Sequence, residues 1–240
     1  MGAIKFANIQ FKALEKKSLL DDKKELKLVV TANSEIIIKA NENSKLKDIM
    51  NENYTTFDGK IPHALAKIDH QEESIEKISG SDFIYDCCRE AKRNGERIFL
   101  LGCREDVNKK AVQNIREQYG IQVEGYSPAL ADYPFPELHD KMILNRIKLF
   151  RPQYLFVGFG APKQEFWMDQ HKEFLQNLGV KIAVGSGGTF DFVAGEVQRA
   201  PKLIQNIGLE GVWRLLVEPK WFRIKRLLVS LKIFYYWKKK

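Results

Sequence analysis

Short apolar runs that close on a glycine and give way to amphipathic stretches recur through this chain of 240 residues. The alternation constrains the fold more than any other feature. A strand apolar on both faces needs helices above and below it, and the α/β class supplies them with a mostly parallel sheet that has helices on both faces. Glu96 to Leu101 reads as one such strand, ended by Gly102. Val107, Ala111, Ile115 and Tyr119 then recur at every fourth position on one helix face, which Gly120 stops. The pattern repeats with a helix from Glu137 to Phe150, a break at Pro152 and a strand from Tyr154 to Val157. A helix from Lys163 to Leu178, ended by Gly179, and a strand from Lys181 to Val184 follow. Upstream, Leu26 to Ala32 reads as a strand and Ser44 as the cap of a helix running to about Asn53. Ser81 or Asp82 caps a helix that Gly95 terminates.

Composition excludes several classes. Cys87, Cys88 and Cys103, with no C-x-x-C and no zinc-like Cys/His spacing, form neither a disulfide scaffold nor a zinc module and suit a reducing compartment. The four histidines (His63, His70, His139 and His171) lack an i,i+4 partner, so no metal site is expected. No apolar run approaches the ~18 residues of a membrane span, and no signal-peptide pattern opens the chain.

Charge is unevenly placed. The 39 Lys+Arg and 31 Asp+Glu leave +8, yet Trp213 to Lys240 holds nine bases, one acid and three of the four tryptophans, while residues 1–212 carry 30 charges of each sign. The expected organisation is a catalytic domain over 1–196 and a basic helical appendage over 197–240. On a helical projection Trp221, Ile224, Leu227, Leu228, Leu231, Phe234 and Tyr235 share one apolar arc. Arg223, Arg226 and Ser230 lie opposite it, and Ile233 falls on the polar side. Such a helix either packs on the body or lies on an anionic bilayer without spanning it. The local basic charge and aromatic excess argue for the bilayer.

Ligands of open parallel sheets bind beyond the carboxyl ends of the strands. Four segments stand there: Thr31-Ala32-Asn33, Gly102-Cys103-Arg104, Gly158 to Glu165, and Gly185-Ser186-Gly187-Gly188-Thr189. Gly158 and Gly160 allow close backbone approach, and the helix after them offers N–H groups to an anion such as a nucleotide diphosphate; a tight turn with no ligand has the same local sequence. Lys163 and Phe190 stand where each cluster would need its third glycine, so neither completes G-x-G-x-x-G. Gln164 and Glu165 could bond sugar hydroxyls, though an acid in the first turn of a helix is also favourable for dipole reasons. Asp58-Gly59 reads as a turn or as a general base facing a pocket, and Asn33 as a cap or a substrate ligand. Asp-x-Asp is absent, so a diphosphate-sugar enzyme with this sequence would neutralise its leaving group with Arg, Lys or helix termini.

Read in order, these segments resemble the bacterial WecG/TagA/CpsF glycosyltransferase family (glycosyltransferase family 26). The resemblance rests on Val29 to Asn33, Phe57-Asp58-Gly59, Gly80-Ser81-Asp82, Val157 to Glu165, Gly185 to Phe192, Ala194-Gly195, Arg199-Ala200-Pro201, Gly208-Leu209-Glu210, Trp213-Arg214-Leu215 and Glu218-Pro219, collinear over about residues 26–226. It implies a Rossmann-like core and an inverting, metal-independent transferase. The donor would be a UDP-sugar and the acceptor an undecaprenyl-diphosphate-linked saccharide, serving teichoic acid, O-antigen, capsule or common antigen synthesis. The resemblance further implies Asp58 as base, with Thr31, Asn33 and Gln164 lining the pocket together with the glycine turns at Gly158, Gly160 and Gly187. Arg214 and Arg223 would reach the donor diphosphate. No cofactor and no nucleic-acid partner is implied; a homo-oligomer is left open, and the expected location is the cytoplasm, peripheral on the inner face of the plasma membrane. Glu210-Gly211-Val212 departs from the family's Glu-Trp-Leu, and Ser79 stands where an Arg usually precedes Gly80.

Two other classes compete. A soluble Rossmann-type oxidoreductase lacks the full dinucleotide fingerprint here. A nucleic-acid-binding module could use the basic aromatic tail.

Overall fold

The computed structural model describes residues 2–21, 25–198, 200–201, 204, 213, 215–216 and 221–238, without the side chains of Phe222, Arg223, Lys225 and Arg226. The strands are β1 (Ile4–Phe6), β2 (Ile9–Phe11), β3 (Lys27–Ala32), β4 (Tyr54–Phe57), β5 (Arg97–Gly102), β6 (Gln122–Tyr126), β7 (Tyr154–Gly158) and β8 (Ile182–Gly185). The helices are α1 (Lys16–Leu20), α2 (Ser34–Glu42), α3 (Ser44–Glu52), α4 (Lys60–Asp69), α5 (Gly80–Asn94), α6 (Glu105–Tyr119), α7 (Glu137–Phe150), α8 (Lys163–Gln170), α9 (Lys172–Leu178) and α10 (Thr189–Val193), followed by α11 (Trp221–Ser230) and α12 (Ile233–Lys238). β3 to β8 form one parallel sheet in the order β4-β3-β8-β7-β5-β6, so the α/β, Rossmann-like expectation holds. The chain divides into two compact units, one of residues 1–18, 30–79 and 198–240, the other of 19–29 and 80–197.

In the second unit the register sets Leu101 beside Val157 and Val157 beside Gly185, aligning the carboxyl ends of β5, β7 and β8. Successive side chains point to opposite faces of each strand. Phe99, Leu101, Leu155, Val157 and Ala183 therefore face one way and are buried with Ile143 and Ile147 of α7, Trp167 and Met168 of α8 and Leu175 of α9. Ile98, Leu100, Phe156 and Val184 point the other way and are equally buried. On that side α10 packs on α5 and α6. The sequence predicted one helix over 163–178, but the chain turns at His171 between α8 and α9. Trp167 and Met168 of α8 and Leu175 of α9 all enter the core, and i→i−4 bonds from His171 N to Trp167 O and from Leu175 N to His171 O run through the turn.

In the first unit β1 and β2 form an antiparallel hairpin, which apolar periodicity alone did not reveal because three-residue strands carry too little of it. Its turn, Ala7-Asn8, has positive φ at both residues, the geometry that suits the twist of a two-residue hairpin. Phe11 stacks on Phe57 of β4 with ring centroids 3.9 Å apart, and Phe6 meets the same ring edge-on at 5.6 Å. The helix expected from Ser44 is present, but its cap is Asn43, whose Oδ1 accepts from Leu46 N at 2.9 Å. α5 begins at Gly80, which places Ser81 and Asp82 inside its first turn.

The tail departs from a single helical projection. α11 and α12 are separated by a turn at Leu231–Lys232, which rotates Ile233 from the expected polar side into a buried position. Both helices pack on α2, with Lys232 Nζ 3.1 Å from Glu42 Oε1. Trp237 Nε1 donates to Asp69 Oδ2 at 2.8 Å. Among the described residues no helix is long and apolar enough to cross a membrane.

Candidate active site

In the first unit the candidates Thr31, Asn33 and Asp58 stand at strand ends. β3 and β4 end at Ala32 and Phe57, and the next residues are the candidates Asn33 and Asp58. The Asp58 amide donates to the Ala32 carbonyl at 3.0 Å, so the two strand ends are tied where their loops begin. Asn33 caps α2: its Oδ1 accepts from Ile36 N at 3.1 Å, and its Nδ2 end is not consumed by that bond. Gly59 has φ of +121°, and a Cβ there would lie 3.9 Å from Asn33 Cβ, which puts the Asp58-Gly59 turn against the cap. Thr31 is buried one residue before the end of β3. Thr31, Asn33 and Asp58 are thus brought together from two strand ends, and Asp58 is half-buried.

Sequence reasoning gave the stretch before Gly80 no placement. It runs beside β4: Lys77 bridges Phe57, Ile78 N donates to Phe57 O at 2.9 Å, and Thr56 Oγ1 donates to Ile78 O at 2.9 Å. Lys77 therefore stands next to the Asp58 turn. The signal available in the sequence was Lys77 itself, a cation two residues before the missing arginine position. Nearby, His63 of α4 has Nε2 2.9 Å from the Ile75 carbonyl. Burial is the main influence lowering its pKa below 6.5; the Ile75 carbonyl opposes it, and Lys67, Lys60 and Lys77 add to the lowering.

The second unit, taken by itself, holds the glycine turns. β5 leads to β6 on one side and β7 lies on the other, so strand order reverses between β7 and β5, the place in an open parallel sheet where ligands bind beyond the carboxyl ends. There Cys103 N donates to the Gly158 carbonyl at 3.1 Å. After β7, Gly160 takes φ of +80° and α8 begins at Lys163. Gln164 is buried and uses both ends of its amide: Oε1 accepts the Gly160 amide at 3.1 Å and Nε2 donates to Glu165 Oε1 at 2.8 Å. The turn after β8 presses on the same pair. A Cβ on Gly187 would stand 3.2 Å from Gln164 Oε1 and 3.3 Å from Gly160 Cα, and one on Gly185 would stand 2.8 Å from Glu165 Oε1. Gly158, Gly160, Gln164 and Gly187 are therefore brought together, with Glu165 behind them. Lys163 holds the loop before α7, donating to Ala131 O at 3.2 Å.

Arg214 and Arg199 lie outside the described residues, as does the side chain of Arg223. Asp140, half-buried in the same unit as the glycine turns, accepts from Trp167 Nε1 at 2.7 Å and lies 2.8 Å from His171 Nε2. The His171 pKa is lowered, because burial outweighs the raising effect of Asp140.

Three relatives, from Staphylococcus aureus strains MRSA252, NCTC 8325 / PS 47 and COL, each carry the name N-acetylglucosaminyldiphosphoundecaprenol N-acetyl-beta-D-mannosaminyltransferase. Each is 32% identical to this chain over 212 residues, covering 87% of this chain and 78% of the relative. Residues 2–239 match the family model described as the glycosyl transferase WecG/TagA/CpsF family. With the parallel sheet and the glycine turns at its strand ends, that match over nearly the whole chain makes the protein a member of the WecG/TagA/CpsF family of glycosyltransferases, enzymes of polysaccharide synthesis.

Proposed function

We propose that the protein transfers a sugar from a UDP-sugar to an undecaprenyl-diphosphate-linked saccharide by direct, inverting displacement. The observation that carries the reading is the placement of Asp58: a half-buried residue at the end of β4, fixed to β3 through the Ala32 carbonyl and followed by Gly59, which lies beside Asn33. In the proposed step an Asp58 oxygen accepts the acceptor hydroxyl proton while the hydroxyl oxygen bonds to the anomeric carbon. The bond from that carbon to the UDP oxygen breaks, and its electron pair leaves with UDP. A positioned base of this kind contributes roughly 10²–10⁴-fold. Thr31 and Asn33 orient the sugar hydroxyls. Gly158, Gly160 and Gly187 bring backbone amides to the donor, and Gln164 acts chiefly by holding the Gly160 turn open to it.

Charge on the departing diphosphate is met by Arg214 and Arg223 and by the amides at the start of α8, without a metal. The absence of Asp-x-Asp supports that reading. Residues 197–240 act as the membrane-associating part, on the inner face of the cytoplasmic membrane where a lipid-linked acceptor would be met. Exposed Trp221, Leu228, Leu231 and Tyr235 support it, since these apolar side chains face solvent. The relatives' names direct the first substrate pair: N-acetylmannosamine from its UDP form and N-acetylglucosaminyl-diphospho-undecaprenol.

The test is UDP release by the purified full-length chain from a panel of UDP-sugars with a short-chain lipid-diphosphate saccharide, with anomeric configuration read by NMR. UDP release matched to a product of inverted configuration is expected. Retention of configuration would remove the single displacement, and an absence of transfer with every donor would remove the substrate class.

A further inference from the structure

Helix α7 carries a surface that the transfer reaction does not use. Its inner side is fixed by Ile143 and Ile147, which are buried in the core formed with α8 and α9. Its outer side presents Leu138, Met142 and Leu149, respectively 74%, 51% and 82% exposed, with exposed Asn145 between them. Positions 138, 142, 145 and 149 are spaced by four, three and four residues, the spacing of a heptad seam. At 100° per residue they span an arc of about 60°. Lys141 and Lys148 border one side of the arc, and Arg146 and His139 the other. Arg146 is held over the Tyr126 ring, 5.5 Å from its centroid. Glu137, the acid nearest this border, is paired with Lys141 at 2.5 Å.

Width and charge together select the occupant. A helix that faces a core or lies in a bilayer shows an apolar face of about 100° or more, whereas a narrow stripe limited to heptad positions is the seam of a helix pair. Here the stripe is narrow and contains an amide, which a bilayer would have to desolvate and a partner helix can match. A second copy of this chain fits poorly. Antiparallel pairing would set Lys141 against Lys148 of the second copy and His139 against its Arg146; parallel pairing would set Lys141 against its Arg146. Every flanking pair is then basic on basic. We propose that the outer face of α7 docks an amphipathic helix of another protein, with an apolar heptad seam, acidic residues at its flanks and a polar residue opposite Asn145. The docking is separate from sugar transfer and does not depend on the donor or acceptor.

The test uses the full-length chain and two fluorescent synthetic peptides of three heptads each, with a leucine seam and one asparagine. One carries Glu at the flanking positions and the other Lys. The Glu peptide is expected to bind at least about tenfold more tightly at low salt, with the preference shrinking as salt rises. Its binding should slow amide exchange across residues 138–149. Met142→Glu should weaken it about tenfold or more, and Lys141→Glu with Lys148→Glu should reverse the peptide preference. These variants should melt as the wild type does and transfer sugar to a short-chain acceptor at the wild-type rate, which separates this docking from the transferase reading. Failure of the Glu peptide to bind, or equal binding of both peptides, overturns the proposal. So does loss of anionic-vesicle binding in Met142→Glu, which would assign the face to lipid, or loss of self-association in that variant, which would assign it to a second copy.

Discussion

Gln164 and Gly160 are joined side chain to backbone: the Gln164 Oε1 accepts the Gly160 amide at 3.1 Å while its Nε2 donates to Glu165. A residue whose place in the sequence suggests a sugar ligand thus spends one acceptor and one donor on shaping the turn. Gln164→Ala leaves the part-buried Gly160 amide without this acceptor and the buried Glu165 carboxylate without this donor, which should cost about 1–3 kcal/mol of stability. Through the relaxed turn it should also raise the donor KM more than it lowers kcat. Urea melts and donor titrations check both, and a wild-type donor KM in this variant would remove the positioning role.

Asp58→Asn keeps the shape and the backbone bond to Ala32 but removes the base, so kcat should fall by roughly 10²–10⁴-fold. The melting temperature should stay near wild type. Asn33→Ala acts differently, because it deletes the α2 cap and should cost about 1 kcal/mol as well as activity. If Asp58→Asn turns over at the wild-type rate, the proton leaves by another route.

Arg214→Lys and Arg223→Lys retain charge but lose the bidentate fork. Donor turnover and UDP inhibition should both weaken, and prior dialysis against chelator should leave the wild-type rate unchanged. A strict requirement for Mg²⁺ or Mn²⁺ would contradict leaving-group stabilisation by arginines and amides.

Two histidines give a pH signature. His63 and His171 both have folded-state pKa values lowered from 6.5, chiefly by burial, so the folded protein binds fewer protons than the unfolded chain between the lowered values and 6.5. Their contribution to stability is present above about pH 6.5 and is lost as pH falls through the folded values. Urea midpoints should therefore rise with pH across that window, and the double variant His63→Gln, His171→Gln should flatten the rise. An equal slope in wild type and double variant would assign the pH dependence to other groups.

The tail prediction concerns α11. Trp221→Ser with Leu228→Ser changes exposed side chains and should leave melting unaltered while reducing sedimentation with anionic vesicles. Transfer to a long-chain lipid acceptor should drop more than transfer to a short-chain one. Trp237→Phe should instead lower stability, since it breaks the 2.8 Å bond to Asp69.

Much of the fold was legible because its signals are local. Apolar runs fully buried on both faces mark β3, β5, β7 and β8, and Gly120 and Gly179 stop helices by adopting positive φ, which glycine tolerates best. Asn43 displaced Ser44 as a cap because the two neighbouring residues compete for one position, and only the path of the chain between α2 and α3 decides which side chain reaches Leu46 N.

By itself the sequence determined the strands β3, β5, β7 and β8, where their loops begin, and that the basic charge is gathered after residue 212, but not β1, β2, β4 or β6. Those properties follow from composition and period within a dozen residues. Tertiary structure alone decided that Phe11 stacks on Phe57, that Lys77 runs beside β4, that Gln164 turns inward to Gly160, and that Ile233 is buried while Leu228 is not. The side chains of Leu and Ile carry the same apolar signal wherever they stand. Which of them is covered depends on partners brought near by packing, from parts of the chain that no local window contains.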